Sequence, residues 1–320
     1  MKRVLVTGGT GFLGSYLVKS LLERDIDYVV APTTNIKQKK SIDLLEVDSA
    51  KLSIINGDVR DFDFLQRLFN EYEFDTVFHL GALSEVRKCQ SNAKLAYDIN
   101  IGGTVNLLEV IRLYGKVNSI VVSSSDKAYG QAKVPYHEDQ PLAGRAVYET
   151  SKSCQDLVAK SYHHNYDLPI VITRCCNLFG GGDLNFSRII PNTIRNILNK
   201  KSPMIWSGAE NFIRELLYVE DAVDAYLSLS ENIDITKGNA YNVGSGEKIT
   251  IGNLVKKILY LIPQDIEIEY RPRTFPEIDD QYLDSSKIKS HIGWVAKTKL
   301  EEGLKKTIAH YENMFADNII

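Results

Sequence analysis

The stretch Val4-Leu5-Val6-Thr7-Gly8-Gly9-Thr10-Gly11-Phe12-Leu13-Gly14 limits what this chain can fold into more than any other. Three apolar residues with strand character lead into Gly8, Gly11 and Gly14, spaced G-x-x-G-x-x-G. Beyond them Leu17, Val18, Leu21 and Leu22 recur at helical spacing, which predicts a helix from Gly14 to Glu23. A strand that turns through glycines straight into a helix has a specific use. The chain must turn sharply, its backbone must come close to a pyrophosphate, and the helix N-terminus must face that anion. A side chain at these positions would block the approach. Glycine spacing alone is weak evidence; with the strand before it and the helix after it, it predicts dinucleotide binding.

The residues leave open which dinucleotide. In this arrangement a carboxylate normally ends the second strand and holds the adenosine ribose 2′-hydroxyl. Here the strand Tyr28–Val30 runs into Ala31-Pro32-Thr33-Thr34, with no acid. Lys37, Lys39 and Lys40 follow, and they suit either a solvated loop or a 2′-phosphate. Asp58 and Val59, after the third strand, are candidates for the adenine edge, although a loop Asp needs no ligand.

The same alternation continues to about residue 175. Strands are predicted at Leu52–Ile55, Thr76–Phe78, Ser119–Val122 and Ile170–Thr173, and helices at Phe62–Tyr72, Val105–Tyr114 and Tyr148–Tyr166. The expected architecture is α/β: a Rossmann-type doubly wound parallel sheet covered on both faces. After residue 176 the pattern loosens. Gly180-Gly181-Gly182 marks a turn. Helices are expected at Ile189–Leu198, Ile251–Leu261 and Lys299–Tyr311, and strands at Leu216–Val219, Tyr241–Val243 and Ile266–Tyr270, with a helix following Val219 through Leu229. This divides the chain into a dinucleotide-binding domain at 1–175, with a returning segment near 214–245, and a smaller α/β substrate-binding lobe at 176–320. A length of 320 residues allows both.

Composition excludes several classes. A net charge of −3 gives no support for nucleic-acid binding. No apolar run approaches the roughly 18 residues of a membrane helix, and Met1-Lys2-Arg3 leads at once into a strand, without a signal peptide's cleavage region. A cytoplasmic protein is expected. Cys89, Cys154, Cys175 and Cys176 lack C-x-x-C spacing and read as free thiols, and no metal site is expected.

Tyr148 and Lys152 stand four residues apart, so on a helix they share one face. An ammonium beside a phenol favours the phenolate, so Lys152 is expected to make Tyr148 a usable base. Lys152 can also hold a nicotinamide ribose. Y-x-x-x-K alone is common. Its place downstream of the glycine turn, after a strand ending in Ser123-Ser124-Ser125, gives it weight.

With these pieces the chain resembles the extended short-chain dehydrogenase/reductase family, specifically the NAD-dependent epimerase/dehydratase group that acts on nucleotide sugars. The resemblance covers nearly the whole chain. It is carried by the turn from Thr7 to Gly14, by Gly57-Asp58-Val59-Arg60-Asp61 and by His79-Leu80-Gly81-Ala82. Further matches are Asn100 in Asn100-Ile101-Gly102-Gly103-Thr104, the Ser run with Tyr129-Gly130, Tyr148 with Lys152, Arg174 with Asn177, and Arg214 through Asp221. The resemblance implies a cofactor site of Gly8, Gly11, Phe12, Leu13, Gly14, Asp58, Val59, Gly81, Ala82 and Asn100, with Tyr148 and Lys152 at the reactive end. It implies Ser125 as the hydroxyl that polarises the oxidised sugar carbon. It also implies a homodimer through helices at Ala93–Tyr114 and Tyr148–Tyr166.

The two residues after Ser125 separate two reactions. Family epimerases usually carry small or neutral residues there, and 4,6-dehydratases carry acid–base groups. Ser125-Asp126-Lys127 resembles CDP-glucose 4,6-dehydratases, as do Ala31-Pro32-Thr33-Thr34 and the run from Asn177 to Asp183. The expected activity is therefore a nucleotide-sugar 4,6-dehydratase that forms a 4-keto-6-deoxy sugar nucleotide. Tyr148 takes the C4 hydroxyl proton, Lys127 the C5 proton, and Asp126 protonates the leaving C6 hydroxyl. Asp126 fits only if the closed site keeps it protonated, and Lys127 only if burial or a nearby cation keeps it neutral. The alternatives are a nucleotide-sugar 4-epimerase and a non-catalytic dinucleotide-binding sensor, which would be expected to lose the Tyr/Lys pair. Because a dehydratase returns its hydride, a permanently held NAD is favoured over NADP. The substrate's diphosphate calls for Arg and Asn donors, and Asn177, Arg188, Arg214 and Arg273 are the candidates. Arg271-Pro272-Arg273-Thr274-Phe275 departs from the family's R-P-G-[DE]. Leu178, Phe179 and Phe186 can reach a nucleotide base, but core packing is expected of them.

Overall fold

Strand β1 (Arg3–Thr7) sends Val4 and Val6 into one buried core and Leu5 into another, so it must lie inside a sheet covered on both faces. The computed structural model describes residues 1–37, 40–273 and 278–317; Lys39, Thr274 and Phe275 lie outside them. With β1, strands β2 (Tyr28–Thr33), β3 (Leu52–Asn56), β4 (Thr76–His79), β5 (Ser119–Ser123) and β6 (Ile170–Cys175) pair in parallel in the order 3-2-1-4-5-6. The order reverses between β1 and β4, which opens a crevice at their C-terminal ends, above the glycine turn. On the face with Val4, Val6, Phe78 and Val121 pack helices Phe12–Leu22 and Val219–Glu231. On the face with Leu5, Val77, Ile120 and Val122 pack helices Phe62–Tyr72, Gly103–Tyr114 and Val147–Tyr166.

The second part of the chain forms β7 (Asn177–Phe179), β8 (Met204–Trp206), β9 (Ile213–Tyr218), β10 (Ala240–Val243), β11 (Lys248–Thr250) and β12 (Glu269–Arg271). Strand β10 returns to the large sheet and pairs in parallel with β6, making it seven-stranded. Strands β7, β9 and β11 form a second sheet, and β8 pairs with β12. Helices Ile189–Leu198, Ile251–Leu261 and Leu300–Ala316 enclose a separate core around Phe179, Ile194, Leu254, Leu304 and Tyr311.

Three of the differences from the expected boundaries have a physical reason. The strand expected at Leu216–Val219 is Ile213–Tyr218, because Val219 already begins the next helix. The strand expected at Ile266–Tyr270 shrinks to the exposed β12, whose one partner among the described residues, β8, is itself three residues long. The helix expected from Val105 begins at Gly103 and follows a π-helical turn, Asp98–Gly102. Glycine's poor helix propensity hides that start from periodicity. A Cβ on Gly103 would come within 2.5 Å of the Val59 side chain, so close packing of helix on loop explains the glycine.

A buried ion pair ties β6 to helix Val147–Tyr166. Arg174 of β6 donates from Nε and Nη2 to the two Asp156 oxygens (2.8 and 2.9 Å) and from Nη1 to the Tyr129 hydroxyl (2.7 Å). Tyr129 donates in turn to Asn242 Oδ1 of β10 (2.8 Å). Among the described residues no helix is long and apolar enough to cross a membrane.

Candidate active site

The glycine turn has the form its spacing predicts. Gly8 sits at φ 71°, and a Cβ there would lie 2.8 Å from the Gly81 nitrogen. A Cβ on Gly14 would overlap the Gly8 carbonyl, whereas one on Gly11 would meet only that carbonyl, at 3.3 Å. Gly11 therefore faces open space in front of helix Phe12–Leu22. That helix has no side-chain cap and no acidic residue in its first turn, so its leading N–H groups, from Phe12 and Leu13 on, are left for an outside anion. This cradle fits a pyrophosphate.

The walls are built from behind. Thr7 Oγ1 accepts from the Gly81 nitrogen (3.0 Å), fixing the loop that carries Gly81 and Ala82. Asn100 is fully buried in the π-helical turn. Its Oδ1 accepts from Leu83 N (2.7 Å), and its Nδ2 donates to Leu83 O (3.1 Å) and Ser151 Oγ (2.9 Å). Both amide protons are thus used inside the protein, and Asn100 shapes the wall. Asp58 lies at the end of β3, where the Arg60 guanidinium grips it (Nη2–Oδ2 2.6 Å) and holds its carboxyl below the usual carboxylate range. Val59 packs against Gly103. At the end of β2 the Thr33 carbonyl accepts from Gly57 N (2.9 Å), in the place where other such folds carry a ribose-binding acid.

The reactive end lies where β5 meets helix Val147–Tyr166. Ser125 Oγ accepts from Lys127 N (3.2 Å) and donates to Asp126 Oδ1 (3.0 Å). Burial pushes the Tyr148 hydroxyl up to about 12. The Arg188 guanidinium and the Ser125 hydroxyl pull it down, and Asp126 pushes it up. The helix spacing pointed to Lys152 as the cation acting on Tyr148; in the fold that cation is Arg188. Lys152 is instead drawn toward β5. Its Nζ donates to Ser123 O (2.7 Å) and Gln155 Oε1 (2.8 Å), and burial lowers it to about 8.

Asp126 is 2% exposed, and its Oδ2 has no partner. Lys127 Nζ donates to Gln281 Oε1 (3.1 Å), and Gln281 Nε2 is likewise buried without a partner. Ser124 Oγ and Asn177 Nδ2 share that condition. An unsatisfied buried polar group costs about 1–3 kcal/mol. Finding several on the residues that follow β5 and β6 marks a surface built to meet a ligand's polar groups.

The candidate substrate residues separate. Arg188 precedes helix Ile189–Leu198, donates to Asp183 Oδ2 (2.8 Å) and reaches over the Phe12 ring (6.0 Å), so it stands between the glycine turn and Tyr148. Arg214 donates to the carbonyls of Ile213 (2.9 Å), Asp279 (2.6 Å) and Ile278 (2.8 Å), and thereby clamps the segment that carries Gln281. Arg273 lies over the Phe212 ring (5.0 Å), which the Arg214 guanidinium also approaches (5.7 Å). Arg271 pairs with Glu269 (2.7 Å). Phe179 packs on Tyr218 and Phe186 on Tyr311, and Leu178 borders the main core, as expected of core residues.

Gln155 and Gln281 escaped sequence reasoning. Gln155 is three residues past Lys152 on the same helix, and that spacing is a usable signal. Gln281 sits in a stretch with no motif, and only the fold brings it to Lys127.

A family model described as GDP-mannose 4,6 dehydratase matches residues 5–307. A dTDP-glucose 4,6-dehydratase of Haemophilus influenzae is 30% identical, over 97% of this chain and 98% of its own. Among solved structures, a dTDP-glucose 4,6-dehydratase of Streptomyces venezuelae with NAD bound has a TM-score of 0.90 at 28% identity, covering 98% of both chains. A UDP-glucose 4-epimerase of Thermotoga maritima with UDP-glucose also reaches 0.90, at 26% identity, covering 98% of this chain and 99% of its own. By its matched length, its relatives and its parallel seven-stranded sheet, this chain belongs to the GDP-mannose 4,6 dehydratase family, a group of Rossmann-type nucleotide-sugar dehydratases and epimerases.

Proposed function

We propose that this protein is an NAD-dependent nucleotide-sugar 4,6-dehydratase. Asp126 carries the reading: a buried carboxyl, one oxygen on Ser125 and the other unpartnered, beside Tyr148. Loss of the C6 hydroxyl needs an acid in that place, and inversion at C4 does not. Residues 1–175 with the returning strand β10 serve the cofactor, and the rest of 176–320 serves the substrate. Gly8, Gly11, Phe12, Leu13 and Gly14 hold the NAD diphosphate. Asp58 and Val59 flank adenine, Gly81 and Ala82 line the wall that Asn100 supports, and Lys152 holds the nicotinamide ribose. NAD, when bound, accepts the C4 hydride and later returns it to C6.

The protein's own groups handle the protons. Tyr148 accepts the C4 hydroxyl proton, helped by Arg188 and Ser125, both of which favour its phenolate. Ser125 then donates to the C4 ketone oxygen. The ketone acidifies the C5–H bond, Lys127 takes that proton, and Asp126 protonates the departing C6 hydroxyl, releasing water. Lys127 returns its proton to C5 as hydride reaches C6, and the proton on Tyr148 balances the one lost from Asp126. Each such transfer contributes about 10²–10⁴ in rate. Asn177, Arg188 and Arg273 are assigned to the nucleotide-sugar diphosphate, with Arg214 clamping the wall behind them. Helices Gly103–Tyr114 and Val147–Tyr166 expose Val105, Leu113, Leu157 and Tyr166, which supports a homodimer through these helices.

A 4-epimerase is the second reading, favoured by one contact. The Lys127 ammonium donates to Gln281 Oε1, and a lysine held as a donor is a poor base for C5. The test is incubation with CDP-, UDP-, GDP- and dTDP-glucose, followed by mass spectrometry. A product lighter by one water supports the dehydratase, and a new isomer of unchanged mass, resolved from substrate by chromatography, supports the epimerase. If Asp126→Asn and Lys127→Ala both turn over at the parental rate, the acid–base roles are wrong.

A further inference from the structure

Behind the active site runs a chain of fully buried polar side chains whose hydrogen-bond directions can be worked out one by one. The Thr104 hydroxyl has one proton, and it goes to the Asn100 carbonyl (2.7 Å), which can only accept. Thr104 Oγ1 must therefore accept from its other two neighbours, Gln155 Nε2 (3.0 Å) and His79 Nε2 (2.9 Å). That settles which way the Gln155 amide faces: nitrogen toward Thr104, oxygen toward the Lys152 ammonium at 2.8 Å. It also settles the His79 ring, which carries its proton on Nε2 and accepts at Nδ1 from the Thr7 hydroxyl (2.7 Å). Thr7 in turn accepts from Gly81 N (3.0 Å), at the edge of the glycine cradle. Thr7, His79, Thr104 and Gln155 have no exposed surface, so no water competes.

An ammonium has three protons. Lys152 gives one to Ser123 O and one to Gln155 Oε1, so a single N–H is left to reach a ligand. We infer that Gln155 is a positioning residue: by accepting the second proton of Lys152, with its own amide locked by Thr104 and His79, it aims the third at the nicotinamide ribose. This rests on the assignment of Lys152 to that ribose. The titratable groups facing the ammonium are Cys89 from helix Val86–Ser91, Cys175 from β6 and His79 from β4. Burial keeps both thiols protonated and His79 unprotonated near neutral pH, so none of them offsets the lysine's charge. The neutral Gln155 oxygen is what the ammonium has in place of a carboxylate.

The experiment is titration of the full-length protein with NAD⁺, followed by protein fluorescence between pH 6 and 10, for the parent and for Gln155→Met, Gln155→Glu and Lys152→Met. Hydrogen bonds to charged groups predict a loss of about 10- to 100-fold in NAD⁺ affinity for Gln155→Met. Its binding should also fall off at lower pH than in the parent, because the ammonium has lost an acceptor. Gln155→Glu restores an acceptor and adds charge, so its alkaline limit should move to higher pH, a shift that loss of packing alone would not produce. Lys152→Met should bind weakly with no alkaline limit. Parental affinity and parental pH limits in both Gln155 variants, with binding lost in Lys152→Met, overturn the inference and leave the lysine assignment standing. Parental binding by Lys152→Met overturns the lysine assignment and this inference with it.

Discussion

His79 should make this fold acid-labile by a calculable amount. The ring is fully buried between Thr7 and Thr104, and burial lowers it to about 3, with the nearby Lys152 charge adding to the effect. An unfolded histidine titrates near 6.5. The folded value is the lower one, so between the two the unfolded chain binds more protons. Stability contributed by the neutral ring is therefore present above pH 6.5 and is lost as pH falls toward 3. Between pH 7 and pH 5 the loss from this one residue works out at about 2 kcal/mol, from the unfolded chain's proton uptake alone. At pH 5 the figure does not change if the folded value is a unit higher or lower, because the folded ring remains neutral either way. The assay is urea unfolding of the parent and of His79→Gln at pH 7 and pH 5. Glutamine can accept from Thr7 and donate to Thr104 without titrating. The parent should lose about 2 kcal/mol more than the variant over this interval, and comparing the two losses removes the other histidines from the result. Equal losses in parent and variant would mean that His79 protonates in place, and the directional network drawn through it would be wrong.

Three further outcomes follow from packing. Gly14→Ala places a Cβ on the Gly8 carbonyl and should cost about 1–3 kcal/mol in chemical denaturation, with NAD⁺ affinity falling alongside. Arg174→Met removes both strong hydrogen bonds to the buried Asp156 carboxylate, leaving it only the Lys160 ammonium at 3.4 Å, and should cost about 3–5 kcal/mol; adding Asp156→Leu should recover much of that loss in the same denaturation assay. Leu113→Glu with Leu157→Glu places charges on two exposed apolar positions of helices Gly103–Tyr114 and Val147–Tyr166. If these helices form the proposed homodimer, light scattering after size exclusion should give a dimer for the parent and a monomer for this variant, with the circular dichroism spectrum unchanged.

Much of this protein could be read along the chain, because the features concerned leave a mark in local residue type or spacing. Gly8 is glycine because its φ is positive and Gly81 presses against it. Val4, Leu5 and Val6 are all apolar because a strand covered on both faces has no polar side. Tyr148 and Lys152 share a helix face by arithmetic. Those constraints are enough for the glycine turn, the parallel sheet and the pair of residues at its edge. Strand β12 and the start of helix Gly103–Tyr114 were harder to read, since a weak pattern or a glycine there gains its structure from packing.

What the chain alone could not determine is which charged and polar groups end up facing one another. Helical spacing put Lys152 next to Tyr148, but an ammonium taken out of water turns to whatever acceptors the interior provides, here the Ser123 carbonyl and Gln155. Arg188 acts on Tyr148, and Gln281 on Lys127, only because the fold brings residues far apart in the sequence together. Local sequence sets backbone conformation and the burial pattern. The pairing of desolvated donors with acceptors is settled across the whole tertiary structure, since each buried group must find a partner wherever the packing has placed one.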